Sequence, residues 1–204
     1  KDALYILFPP IFQSILFIVT KYFEKGIYNV SYDIDGKIPY LNIFVIFYIV
    51  WYLLLILAPY LIYKYDREKL KEYALTYMLC SFICTFIFIF FPTTINRQQS
   101  FDGNSIFDLL VKFIYEKDMP ILNCFPSLHA LNSMLWIVYI GLNKKYSKFI
   151  RIMITVISIG VILSTLFIKQ HAVVDVIGSV LVCIITCNLS NVIINKYVEK
   201  KTSS

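Results

Sequence analysis

Two histidines and one aspartate are the residues of this chain best suited to chemistry. His129 and His171 are its only histidines, and Asp175 follows His171 by four residues. At this spacing an imidazole and a carboxylate share one face of a helix. An imidazole held by a carboxylate can act as a nucleophile, or as an acid and base, near neutral pH. The alternative interpretation is that these are polar residues that end helices at a membrane interface.

Three further polar residues lie in the segments around these histidines and could bind an anion. Ser127 precedes His129 by two residues, Lys169 precedes His171 by two, and Arg97 follows an earlier apolar run. Each also has a structural interpretation. Arg97 could be an interfacial charge, Lys169 could extend from a helix end towards the interface, and Ser127 could be a helix N-cap.

The elements that must position these residues are predicted to be membrane-spanning helices. The chain is 59% hydrophobic with a mean hydropathy of +0.71, and apolar runs of about 20 residues recur along it. The apolar character is continuous and does not alternate, which favours helices over barrel strands. The fold class is therefore an all-α polytopic membrane bundle, a single domain over residues 1–204. Six spans are predicted: Leu4–Phe23, Leu41–Tyr63, Tyr73–Phe91, Leu128–Leu142, Phe149–Ile168 and Ala172–Ile194.

The basic residues between the spans predict the orientation. If six spans alternate, one side of the membrane collects most of the cations, and the positive-inside rule makes that side cytoplasmic. Both termini then lie in the cytoplasm and both histidines lie at the extracytoplasmic face. A composition rich in Lys, Ile, Asn, Tyr and Phe suggests an AT-rich genome, so a bacterial plasma membrane is expected. The cytoplasmic set is Lys1, Lys64, Arg67, Lys69, Lys71, Lys144, Lys145, Lys148, Arg151, Lys196, Lys200 and Lys201.

Two segments outside the spans carry recognisable patterns. The long outer loop has apolar residues at helical spacing, which predicts an interfacial amphipathic helix with Asp102 or Asn104 as its N-cap; packing between spans is the alternative. Asp33-Ile34-Asp35-Gly36 lacks the further ligands of a calcium loop, so a solvated turn is predicted there. The apolar residues of the outer loop are Ile106, Leu109, Leu110, Phe113 and Ile114.

Three strings, taken in order, carry a resemblance to a known family. Pro126-Ser127-Leu128-His129 is similar to a Pro-Ser-Gly-His signature, and Ser164, His171 and Asp175 keep the spacing of Ser-Arg-x5-His-x3-Asp, with Thr165 in place of arginine. Arg97 matches the arginine of Lys-x6-Arg-Pro, although Phe90 and Gln98 replace the lysine and the proline. Together they resemble the type 2 phosphatidic acid phosphatase superfamily, the membrane lipid phosphatases related to vanadium haloperoxidases. The branch closest in motif contains the inositol phosphorylceramide and sphingomyelin synthases.

The resemblance implies a metal-independent lipid phosphatase that works through a phosphohistidine and needs no cofactor. His171 would attack phosphorus, Asp175 would hold its other ring nitrogen, and His129 would protonate the leaving alcohol and later activate water. The expected substrates are lipid phosphates of the phosphatidic acid, phosphatidylglycerol phosphate or polyprenyl diphosphate type. The expected phosphate-binding residues are Arg97, Lys169, Ser127 and Leu128, the last through backbone N–H groups at a helix start.

Other classes of function stay open at this point. A phosphotransferase would form the same intermediate but pass the headgroup to a second alcohol. A metalloenzyme could use His129, His171 and Asp175 as a two-histidine, one-carboxylate set, and a transporter or channel component is a non-enzymatic alternative. Nucleic acid is not an expected partner, because the basic residues lie in the short segments between apolar runs. The five cysteines show no zinc-binding spacing.

Overall fold

The computed structural model describes residues 2–23, 26–97 and 105–202, and this part of the chain is almost entirely helical. Short 3-10 turns at Asn42–Phe44 and Arg67–Lys69 lead into two of the long helices. Two strands of two residues each, β1 (Tyr28–Asn29) and β2 (Thr93–Thr94), pair in parallel. The helices are α1 (Asp2–Thr20), α2 (Asp33–Lys37), α3 (Val45–Tyr65), α4 (Leu70–Phe90), α5 (Ile106–Lys117), α6 (Leu128–Trp136), α7 (Lys148–Phe167) and α8 (Val173–Thr202).

Five helices in the described ranges are long and apolar enough to cross a membrane, which confirms the predicted all-α membrane bundle. Many large apolar side chains point outward, including Leu53, Phe86, Val156 and Ile184, each more than half exposed. Water would make such a surface unfavourable, whereas lipid chains solvate it well. The five are α1, α3 and α4 with their leading turns, α7, and α8 as far as Tyr197.

The fourth predicted span, Leu128–Leu142, is the one that differs from the other five. It consists of the nine residues of α6 followed by five π-helical residues, Ile137–Gly141. At 1.5 Å per residue this helix is roughly 21 Å long, short of a hydrocarbon core of about 30 Å. It contacts α3, α4, α7 and α8, and Leu131, Leu135 and Trp136 are fully buried. Its apolar sequence therefore reflects a position at the centre of the bundle.

The two ends of the bundle differ in their polar contacts. At one end Asp2 pairs with Arg67, and Lys145 lies 2.7 Å from Asp66, so segments predicted to share the cytoplasmic side lie together. The opposite end holds the β1–β2 pair, α2, α5 and both histidines. The strand pair joins the segment after α1 to the segment after α4, and Asn29 donates a 2.7 Å hydrogen bond to Asn96.

The predicted amphipathic helix of the outer loop is present as α5. Its N-cap is Ser105, whose hydroxyl accepts from the Asp108 N–H at 3.1 Å; Asp102 and Asn104 lie outside the described residues. Its inward side packs on the start of α3 through Val111, while Ile106, Leu109 and Phe113 are exposed. Asp108 fastens this helix by accepting hydrogen bonds from Tyr40, Asn42 and Ser105 at 3.1, 2.8 and 2.9 Å.

Candidate active site

His171 and Asp175 form a hydrogen-bonded pair at the start of α8. The Asp175 carboxylate is fully buried, and its Oδ2 lies 3.1 Å from His171 Nδ1 and accepts from the Ala172 N–H at 2.9 Å. With Asp175 ionised, this hydrogen bond runs from an Nδ1–H to the carboxylate, because an ionised carboxylate only accepts hydrogen bonds. The lone pair of neutral His171 is then on Nε2, the nitrogen that a nucleophile would use.

The turn between α7 and α8 presents His171 and its neighbour to the same space. The N–H groups of Gln170 and His171 both donate to the Thr165 carbonyl, at 2.9 and 3.0 Å, and Lys169 reverses the chain with a φ of 54°. Ser164 and Thr165, which begin the segment similar to Ser-Arg-x5-His-x3-Asp, are buried. Their hydroxyls donate to the carbonyls of Val161 and Ile162, one turn back. Their hydroxyls therefore serve to end α7.

His129 lies at the start of α6 between aromatic rings of α3. Its ring centroid is 4.4 Å from that of Tyr48, 4.2 Å from that of Trp51 and 5.7 Å from that of His171. Its Nε2 is buried and has no hydrogen-bond partner among the described residues. Two aromatic residues of α3, Tyr48 and Trp51, thus position one of the two histidines.

Contacts between the loop before α6 and the first turns of α8 bring the two histidines together. The Ser127 N–H donates to the Asp175 carbonyl at 3.2 Å, and the Ser179 hydroxyl donates to the Ser127 carbonyl at 2.8 Å. The ring of Phe125 covers Gly178 so closely that a Cβ there would overlap it. The Ser127 hydroxyl accepts from the Ala130 N–H at 3.2 Å, so this fully buried residue is the N-cap of α6. Leu128 follows it and lines a cavity.

Arg97 is buried beside the histidines with part of its guanidinium unpaired. Its NH2 group donates to the carboxylate of Asp118 and to Gln170 Oε1, and Tyr115 lies under it at 4.9 Å. Its Nε and NH1 groups are buried without partners among the described residues. Asp118 also pairs with Lys21 at 3.4 Å. The guanidinium is thus held in place while keeping donors for an anion.

Lys169 is turned towards α2 and supports the segment between α1 and α3. Its ammonium donates to the carbonyls of Asp35, at 2.7 Å, and Ile38, and burial lowers its pKa. An ammonium has three donors, so one remains for a substrate. The segment predicted as a solvated turn, Asp33-Ile34-Asp35-Gly36, has no buried residue but is helical. The segment forms α2, and Asp35 Oδ1 accepts from the Val173 N–H at 2.8 Å, so its carboxylate caps α8.

Two cavities meet at Arg97 and His171. The outer cavity, about 640 Å³, has a mixed polar and apolar lining and is bordered by the charged or polar side chains of Asp33, Asn96 and Lys169 among others. The lateral cavity, about 740 Å³, is largely apolar and extends from His129 to Ile18 and Tyr52. Ile18 and Tyr52 are also more than half exposed on the outside of α1 and α3, so the lateral cavity reaches the lipid-facing surface between these helices.

The structure brings the predicted site residues together, with different surroundings for each. His171, His129, Leu128 and Arg97 line the lateral cavity, Lys169 lines the outer cavity, and Asp175 and Ser127 are buried behind them. Sequence reasoning missed Gln170, Asp118, Tyr48 and Trp51. Gln170 is adjacent in sequence to His171, which is only a weak indication of function. Tyr48 and Trp51 are three residues apart, a spacing that ordinary helix packing also gives. Asp118 had no signal in the sequence.

The two-histidine, one-carboxylate metal site is not formed. The described residues contain no group of three His, Cys, Asp or Glu side chains placed to hold a metal ion. The reason is geometric: Asp175 contacts the Nδ1 side of His171, whereas His129 approaches as a neighbouring ring 5.7 Å away.

The fold and site together define a membrane-embedded helical enzyme with a histidine–aspartate pair beside a buried arginine. The model of the PAP2 superfamily matches residues 72–199, from the start of α4 through most of α8. The chain belongs to this superfamily and is an enzyme acting on phosphate esters. No curated protein and no solved structure matched the chain.

Proposed function

We propose that the protein is a metal-independent phosphatase that removes phosphate from a lipid phosphomonoester or diphosphate at the extracytoplasmic face. The observation that carries the proposal is the His171–Asp175 pair, placed where the apolar lateral cavity meets the outer cavity with its charged side chains. The lateral cavity suits a lipid chain, and the outer cavity suits water and released phosphate. Substrates of the phosphatidic acid, phosphatidylglycerol phosphate or polyprenyl diphosphate type have this two-part character.

The proposed reaction begins at the ring nitrogen of His171 that does not contact Asp175. His171 Nε2 attacks phosphorus, the P–N bond forms, and the P–O bond to the leaving group breaks as His129 supplies a proton. Asp175 stabilises the cationic ring that results. His129 then takes a proton from water, whose oxygen attacks phosphorus and breaks the P–N bond. Arg97, with Lys169 and the backbone N–H groups near Leu128 and His129 at the start of α6, would stabilise the charge on the equatorial oxygens.

The test is phosphate release by detergent-purified protein from several lipid phosphates, with EDTA present. Release is expected from the unaltered protein and not from His171→Ala. With an aryl phosphate, whose leaving group needs no proton, His129→Ala should accumulate an acid-labile phosphoenzyme because activation of water is impaired. Equal release by the unaltered protein and His171→Ala would refute the mechanism.

Transfer to an alcohol, as in the inositol phosphorylceramide and sphingomyelin synthase branch, is the second candidate. The outer cavity favours it, because about 640 Å³ beside Arg97 and His171 can hold a second substrate larger than water. Adding candidate polyols to the same assay discriminates the two. A phosphorylated or phospholipid-derived product formed at the expense of free phosphate would identify transfer.

A further inference from the structure

Gln170 carries a buried hydrogen-bond donor that the protein itself does not use. Its side chain is only 2% exposed and lines the lateral cavity beside His171. Its Nε2 has no hydrogen-bond partner among the described residues. Buried polar groups in folded proteins are nearly always paired, so this amide points to a ligand that accepts a hydrogen bond.

The chemistry of its neighbour fixes which end of the amide faces the cavity. Arg97 NH2 lies within hydrogen-bonding distance of the Gln170 side chain. A guanidinium has donors only, so the atom that meets it must be the carbonyl oxygen Oε1. The NH2 group of the amide therefore points away from Arg97 and cannot be exchanged with the oxygen by rotating the amide.

Three unpaired donors share this part of the site. They are Gln170 Nε2, Arg97 Nε and Arg97 NH1, all buried and without acceptors among the described residues. Adjacent to them is His171, whose N–H shares the Thr165 carbonyl with that of Gln170. A cluster of donors beside a nucleophile fits a tetrahedral oxyanion, which offers several acceptor oxygens on one atom.

We propose that Gln170 is a substrate-binding residue that donates its Nε2–H to a non-bridging phosphoryl oxygen and, through Oε1, holds Arg97 for the same group. The inference rests on the proposed function, since it concerns the phosphoryl group that His171 attacks. Donors fixed in advance around developing charge need no reorganisation during the reaction, so they favour the transition state over the bound substrate.

Gln170→Glu tests the donor directly. Glutamate keeps an oxygen for Arg97 but replaces the NH2 donor with an anionic acceptor. Loss of one such donor is expected to lower kcat on the order of 10²- to 10³-fold and to weaken inhibition by orthovanadate, the probe for the pentacoordinate phosphoryl group. Gln170→Asn, which is neutral but one methylene shorter, should show losses in the same two quantities and replaces Gln170→Glu if that variant does not fold.

Gln13→Glu is the matched control. Gln13 is also buried and lines the lateral cavity, but its Oε1 accepts from Tyr77 and Asn132 and its Nε2 donates to Ser81. Because the protein already pairs this amide, its substitution should lower the unfolding temperature and leave vanadate inhibition unchanged. A comparable loss of vanadate inhibition in Gln13→Glu would mean that a carboxylate anywhere in the cavity suffices, and would overturn the inference.

Arg97→Lys separates direct contact from an effect through Arg97. In that background Gln170→Glu should still weaken vanadate inhibition by about tenfold or more, because the Gln170 bond to the oxyanion is independent. No further weakening would make Gln170 a positioning residue only. Full activity in a folded Gln170→Glu, with His171→Ala inactive, would overturn this inference and leave the proposed function standing; equal release by His171→Ala and the unaltered protein would remove both.

Discussion

Lys169 holds a left-handed backbone conformation, with a φ of 54°, that side chains other than glycine adopt at a cost of roughly 1–2 kcal/mol. The same residue donates two hydrogen bonds to the carbonyls of Asp35 and Ile38. The residue that makes these two hydrogen bonds therefore also has an unfavourable backbone conformation. The turn that it forms places Gln170 and His171 at the cavities. The two effects can be separated by substitution.

Lys169→Ala and Lys169→Gly both remove the ammonium, but only glycine relieves the left-handed conformation. Lys169→Gly is therefore expected to be more stable than Lys169→Ala by about 1 kcal/mol, with both variants less active than the unaltered protein. Thermal unfolding in detergent and rates of phosphate release measure the two effects. Identical unfolding temperatures for the two variants would contradict the left-handed turn.

Sequence spacing revealed contacts within one turn of chain and missed those across the fold. His171 and Asp175 are four residues apart, so their pairing follows from helix geometry. Gln170 meets Arg97 from 73 residues away, and Asp118 meets Lys21 from 97. No periodicity encodes such contacts, since they depend on how the outer loops cross the end of the bundle.

At the scale of the element, hydropathy predicted every long helix but not the role of each. The apolar sequence of Leu128–Leu142 predicts a membrane span. The helix α6 in this segment is apolar for another reason, because other helices of the protein surround it. The strands β1 and β2 have two residues each, too few for an alternating pattern. Asp35 gave no sign of capping α8, because its partner Val173 lies 138 residues away.

The contact of α8 with the loop before α6 is predicted to control the distance between the histidines. Gly178→Ala places a methyl group inside the Phe125 ring, so the loop must move or the helices must separate, at about 1–3 kcal/mol. We expect lower activity and a lower unfolding temperature. Gly36→Ala is the control, since a Cβ there meets nothing within 4 Å. Equal effects of the two substitutions would contradict the role of this contact.

The attachment of α5 is predicted to depend on pH through Asp108. Hydrogen bonds from Asn42 and then from Ser105 and Tyr40 lower its pKa, against the opposing effect of burial. A carboxyl whose folded pKa lies below its unfolded value of about 3.9 stabilises the fold above that pH, and the contribution is lost as the pH falls through the folded pKa.

Asp108→Asn should therefore be less stable than the unaltered protein at pH 7. The expected difference in the free energy of unfolding is about 1 kcal/mol, the typical net contribution of one hydrogen bond. The difference should shrink as the pH falls below about 4. Thermal unfolding of both proteins across this range measures it. A difference that stays constant with pH would show that the charge of Asp108 contributes nothing.

At the scale of the whole molecule, the segregation of polar contacts to two ends predicts one orientation in the membrane. Lys37 and Lys144 are exposed at opposite ends, and the positive-inside rule places Lys144 in the cytoplasm. In intact cells a membrane-impermeant maleimide should label Lys37→Cys and not Lys144→Cys. Four native cysteines are buried and Cys187 is half-buried, so background labelling should be low. The reverse pattern would invert the orientation and place the site on the inner face.

The lateral cavity reaches the lipid-facing surface between α1 and α3, where Ile18 and Tyr52 border it. A lipid that uses this opening diffuses in two dimensions, and the enzyme responds to its mole fraction among surrounding amphiphiles. Adding inert detergent at a fixed bulk concentration of substrate would then slow turnover by surface dilution. For such an enzyme a Michaelis constant is properly expressed per molecule of membrane, not per litre of solution.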